Sequence, residues 1–126
     1  MAGAISSPIS NATWPNMLSS EVRAAAPVFA ALGDETRLRL VMKLCHTGRQ
    51  SITQLSEREP LTRQAVTKHL RVLSGAGLVR VRKEGREQVW EMTPGKMKQV
   101  RRWLKAIERE WDQRLDRLKA LVEEPE

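Results

Sequence analysis

Apolar positions change period several times along the chain, and each change marks an element. Residues 1–16 show no sustained period and are rich in Ser, Ala, Asn and Pro, which predicts a flexible arm. Trp14 is its one large anchor, either docked on the body or solvated. Residues 18–32 become Ala-rich and helical, with a break expected near Ala26 because Pro27 cannot donate a helix bond. Asp34 suits an N-cap for a helix to about His46, with Leu38, Val41, Met42 and Cys45 on its inner face. Gly48 ends that helix. Ser51 and Gln54 form a capping-box pattern, so a short helix should run from 52 to about 58, closed by Pro60.

Thr62 caps the next helix, with Leu61 and Val66 placed for a hydrophobic staple. Over 63 to about 74, Val66, Leu70 and Leu73 recur at helical spacing, while Arg63, Gln64, Thr67, Lys68 and Arg71 occupy the opposite arc. Gly75 and Gly77 terminate it. Residues 79–82 then alternate with period two, Glu84-Gly85 supplies a turn, and 88–92 return as a second strand. Gln88, Trp90 and Met92 share a face of that strand, which places Trp90 on the core. Thr93-Pro94 marks the start of a last helix reaching about residue 123, roughly 45 Å long. The pattern therefore predicts a mainly α fold with a small β-hairpin wing, a winged helix-turn-helix followed by one long helix. Its parts are an arm over 1–16, the helix-turn-helix body over 17–93 and the C-terminal helix over 94–126.

That helix carries a seam at Met97, Val100, Leu104, Ile107, Trp111, Leu115, Leu118 and Val122, close to a heptad repeat. A body this small cannot cover so long a stripe, so the helix is expected to pair with its copy in a homodimer. A monomer with the helix folded back is the alternative. Trp103 and Trp111 lie on or beside the seam and either pack the interface or line a cavity between subunits.

Charge sharpens the picture. The chain of 126 residues is sized for one core, with a net charge of +7 and a pI near 10.3. Between residues 62 and 86 there are seven Lys/Arg against one acid, Glu84, so nearly all the net charge sits on one helix and the hairpin after it. A clustered basic surface of this kind favours double-stranded DNA as partner. Gln64 and Lys68 suit base edges, Thr67 a thymine methyl or a phosphate, and Arg63 and Arg71 phosphates. Arg82, Lys83 and Arg86 lie at or near the wing tip, for a narrow minor groove or plain phosphate contact. Ser51 and Thr62 are caps or phosphate contacts. His69 lies toward the apolar side and is read as a packed structural residue, and Cys45 as a small core hydrophobe.

The stretch Ala31-Leu-Gly-Asp-Glu-Thr-Arg-Leu-Arg-Leu40, with Thr67-Lys-His-Leu-Arg-Val-Leu73 and Ala76-Gly-Leu-Val79, resembles the ArsR/SmtB family of bacterial winged-helix repressors. The resemblance runs from about Val28 to Trp90. It implies a homodimer that binds an inverted repeat near a promoter and obstructs transcription, with Gln64, Thr67 and Lys68 in the major groove and Arg86 at the wing tip. Metal-sensing members carry a Cys-x-Cys pair in the helix before the recognition helix. Here residues 51–57 contain neither Cys nor His, and no His follows Pro94. No metal site or cofactor is therefore expected.

Nothing in the sequence is long and apolar enough to span a bilayer, and no signal peptide is evident. One cysteine fits a reducing compartment, so a cytoplasmic protein is expected, with any small-molecule effector unknown. The competing function is a dimeric winged-helix module whose basic face binds an acidic protein. An enzyme finds no support, because no Gly-rich phosphate loop or nucleophile–base pair is present.

Overall fold

The computed structural model describes the backbone of residues 8–123 and the side chains of residues 19–123. Its elements are α1 (Pro8–Leu32), α2 (Glu35–Thr47), β1 (Gln50–Ser51), α3 (Ile52–Ser56), α4 (Arg63–Gly75), β2 (Val79–Glu84), β3 (Glu87–Met92) and α5 (Lys96–Glu123). Two compact units result, residues 1–96 and residues 97–126.

α1 departs from expectation. It is one uninterrupted helix through Pro27, and it begins at Pro8, within the stretch predicted to be an irregular arm. Residues 1–7 of that arm lie outside the described residues. An internal proline costs a helix about 3 kcal/mol. Burial of Val28 and Ala31 directly after it opposes that cost, because the last turn of α1 is anchored in the core.

On α2 the buried arc is Leu40, Val41 and Leu44. Leu38 and Met42 face out, Met42 at 64% exposure, and Cys45 is exposed. The expected inner face, Cys45 included, is thus corrected in all but Val41. Both arcs satisfy a 3.6-residue period. The one that encloses Leu40 and Leu44 prevails by burying two leucines in place of one leucine, a thioether and a thiol.

The connection between α3 and α4 is two residues longer than expected. α3 stops at Ser56, and Arg58 takes a left-handed φ of 69° ahead of Pro60. The capping box on α3 is present in both directions, with Gln54 N donating to Ser51 Oγ and Ser51 N donating to Gln54 Oε1. Thr62 caps α4, its Oγ1 accepting from Ala65 N at 3.1 Å.

The wing contains a strand that hydrophobic alternation did not reveal. β1 pairs antiparallel with β3, giving a three-stranded sheet in the order β1-β3-β2. The hairpin turn lies at Gly85–Arg86, one residue later than expected, with Gly85 at φ 63°. Positive φ at the first central residue alone is the signature of a type II′ turn. Trp90 is buried, as its alternation implied, and so are Leu55, Val66, Leu70, Leu73, Leu78 and Val79.

α5 starts at Lys96 rather than Pro94. Lys96 N donates to Thr93 O at 3.2 Å, and Gly95 has φ 82°. Pro94 and Gly95 occupy the central positions of a type II turn, which uses proline's fixed φ and glycine's positive one, so the helix begins after them. Along α5, Val100 and Trp103 are buried. Val100, at 4% exposure, is therefore withdrawn from the exposed seam. Met97, Leu104, Ile107, Trp111, Leu115, Leu118 and Val122 are exposed in the single chain.

Candidate nucleic-acid interface

α4 presents the two arcs its periodicity implied. Val66, Leu70 and Leu73 are fully enclosed, whereas Arg63, Gln64, Lys68 and Arg71 are exposed. Those four, with Thr67 and Ile52 of α3, line one shallow open groove. Five side chains singled out from the sequence thus share a surface. Thr67 is the exception in availability: its hydroxyl donates to Arg63 O at 2.8 Å, back along its own helix. Ser51 is buried and spent on its cap, so it serves the helix rather than the surface.

Three interactions around Arg37 link α1 and α2, and one of them reaches α4. Asp34 caps α2 by accepting from Arg37 N at 3.0 Å. Arg37 Nε donates to Ala31 O at 2.7 Å, and its Nη1 lies 3.3 Å from His69 Nδ1 on α4. The cluster joins the end of α1, the start of α2 and the inner flank of α4, which gives the Leu-Gly-Asp-x-Thr-Arg run a structural purpose. His69 is half-buried and structural, as expected. The hydrogen bond from the Arg37 backbone N–H leads in holding the Asp34 carboxyl below its usual pKa.

Glu59, in the turn before α4, was not anticipated. Its side chain is 2% exposed and meets Arg39 Nη2 at 3.1 Å and Lys43 Nζ at 3.0 Å. Burial by itself would raise its pKa, but hydrogen bonds from Arg39 and Lys43 outweigh that and hold it below the ordinary value. The pair locks the α3–α4 turn onto α2. Its sequence separation of 16 to 20 residues left no local signal.

The wing tip is less uniformly cationic than its composition implies. Arg80 Nε donates to Glu91 Oε2 at 2.5 Å, and Arg82 Nη2 lies 3.5 Å from Glu91 Oε1 and 3.9 Å from Glu84 Oε2. Arg49, just before β1, donates to Glu84 Oε2 at 2.5 Å. The bond from Arg80 is the main cause of a lowered Glu91 pKa. Lys83 and Arg86 form no ion pair with an acid among the described residues. The hairpin register could have exposed this network. A turn at 84–85 would set Arg80 opposite Val89, whereas the turn at 85–86 sets it opposite Glu91.

Among the described residues, no three His, Cys, Asp or Glu side chains gather as a metal site would require. No described helix is long and apolar enough to cross a membrane.

A capped helix-turn-helix whose second helix exposes a basic, polar arc, followed by a β-hairpin, defines a winged helix-turn-helix protein of the DNA-binding class. Comparison with known proteins agrees. A family model described as a helix-turn-helix domain matches residues 32–82. The solved structure of an ArsR-like transcriptional regulator from Rhodococcus sp. RHA1 is 38% identical, with a TM-score of 0.72, covering 84% of this chain and 99% of that one. The HTH-type transcriptional regulator Rv2034 of Mycobacterium tuberculosis is 36% identical over 75 residues, 60% of this chain and 69% of that protein. The uncharacterized HTH-type regulator YuzN of Bacillus subtilis is 37% identical over 68 residues, 49% of this chain and 74% of that protein. The chain belongs to the ArsR family of helix-turn-helix transcriptional regulators.

Proposed function

We propose that the protein is a dimeric repressor that binds an inverted-repeat operator, α4 lying in the major groove and the β2–β3 wing on the adjoining backbone or minor groove. The observation that carries this reading is the single groove shared by Arg63, Gln64, Thr67, Lys68 and Arg71. Gln64 and Lys68 have the donor and acceptor geometry for adenine and guanine edges, and Arg63 and Arg71 flank them as phosphate grips. At the wing, Lys83 and Arg86 are the contacts. Dimer formation through α5 is supported by its exposed apolar side chains from Leu104 to Val122, a stripe longer than isolated helices leave to water.

The test is fluorescence anisotropy of the full chain with the DNA upstream of its own gene, against a scrambled duplex, across a salt titration. A dimer neutralising about ten phosphates should show a log–log salt slope near −9 and a clear preference for the promoter fragment. Equal binding to both duplexes would refute sequence readout, and sedimentation as a monomer at micromolar concentration would refute the dimer.

A further inference from the structure

We propose that Glu84 and Glu91 limit the wing's grip on DNA: they occupy the arginines of the sheet, so that only Lys83 and Arg86 are left to grip phosphate. This rests on the DNA-binding reading above and adds to it a division of labour among the wing's cations.

The observation is a continuous chain of alternating charge, Arg80–Glu91–Arg82–Glu84–Arg49, drawn from β2, β3 and the residue before β1. Each oxygen of Glu91 faces a different arginine, Oε2 toward Arg80 and Oε1 toward Arg82. Oε2 of Glu84 is shared between Arg49 and Arg82. Alternation along the hairpin explains the sorting. Arg80, Arg82 and Glu84 are two residues apart and share one face of β2, and Glu91 is the cross-strand partner of Arg80. Lys83 falls on the other face, opposite the neutral Gln88. Arg86 is carried on the turn itself.

Glu91 is the firmest link. Its side chain is 14% exposed, and the hydrogen bond from Arg80 holds its pKa below the ordinary carboxylate value, so it is charged at neutral pH. A phosphate competing for Arg82 must then displace two carboxylates and approach their negative charge. Non-specific binding to DNA is almost wholly phosphate contact, each contact contributing about 0.9 to the salt slope. Three arginines bound to acids subtract from that non-specific term, while the base-reading arc of α4 is untouched. The pair of glutamates therefore lowers the wing's phosphate contribution to binding of any duplex, and leaves base readout to α4.

The experiment compares the full-length wild type with R82A, K83A, E91Q, E84Q and R82A/E91Q, measuring affinity and salt slope on both duplexes. K83A is expected to weaken scrambled-duplex binding and flatten its slope by about one contact. R82A in the wild-type background should leave both nearly unchanged. E91Q, which frees Arg80 as well as Arg82, should tighten scrambled binding about threefold and steepen the slope by about one to two, with R82A/E91Q losing the Arg82 part of the gain. That non-additivity separates release of an arginine from a mere change in net charge, for which the two substitutions would add. E84Q, at a more exposed position, should give the same direction of change and guards against an E91Q variant that folds poorly. R82A losing as much as K83A, or E91Q and E84Q leaving scrambled binding unchanged, would overturn the inference while the DNA-binding reading stood. Wild type binding neither duplex would overturn both.

Discussion

Replacing Glu59 by Gln tests how the helix-turn-helix is held together. Gln keeps the shape and one acceptor oxygen but brings an NH2 group toward two cations. The structure gives terms of opposite sign. The lost charged hydrogen bonds from Arg39 and Lys43 are worth about 1.5–3 kcal/mol each in enclosed settings. Here the partners are 39% and 29% exposed, so both regain water on mutation and the loss is discounted. Removing a carboxylate that is 2% exposed also relieves its desolvation. The net expectation is a destabilisation of about 1–2 kcal/mol, or a Tm lowered by roughly 5–10 °C. The pH dependence carries a sign. The Glu59 pKa is depressed below its ordinary 4.5, so the stabilisation is fully present above that value and is lost as pH falls through the folded-state pKa. Thermal unfolding followed by circular dichroism should show a constant gap between wild type and E59Q from pH 7 to pH 5, closing as the pH is lowered below about 4. A gap under 1 °C at pH 7, or one that widens in acid, would refute the argument that this charge pins the turn.

The remaining expectations concern the surface. Q64A/T67A/K68A should leave stability within about 0.5 kcal/mol, since Gln64 and Lys68 are exposed, yet abolish preference for the promoter fragment in competition binding. Ile107→Glu places a charge on an exposed seam position of α5. Native circular dichroism is expected, with a shift to monomer in sedimentation and operator binding weakened by at least about tenfold as the second half-site is lost. Gly85→Ala meets no atom within 4 Å, so its cost is conformational alone, about 1–2 kcal/mol for an L-residue at φ 63°, readable as a lowered urea midpoint. An unchanged midpoint would mean the hairpin turn relaxes to another type.

Much of the fold was legible because it follows from local chemistry. Asp34, Ser51 and Thr62 cap the helices they precede, since a side-chain oxygen two or three residues before an amide is a matter of sequence spacing alone. The 3.6-residue period on α4 divided Val66, Leu70 and Leu73 from the polar arc without help from any other element. The exposed seam of α5 was equally plain, because a stripe along one helix needs no partner to be recognised.

Packing across the fold settled the choices between locally equivalent options. α2 has two apolar arcs, and packing selected Leu40 and Leu44 over Leu38 and Cys45. Pro27 stays within α1 because Val28 and Ala31 are enclosed beside it. β1 is too short to alternate, and it exists because β3 offers it a pairing edge. Arg82 was read as a wing contact from its position alone, and the register, one turn residue later than expected, sets Arg80 opposite Glu91 and leaves Arg82 3.5 Å from the same carboxylate. Each element's chemistry is local and can be read along the chain; contacts between residues far apart along it determine which face that chemistry shows, because burial and pairing are properties of the assembled surfaces.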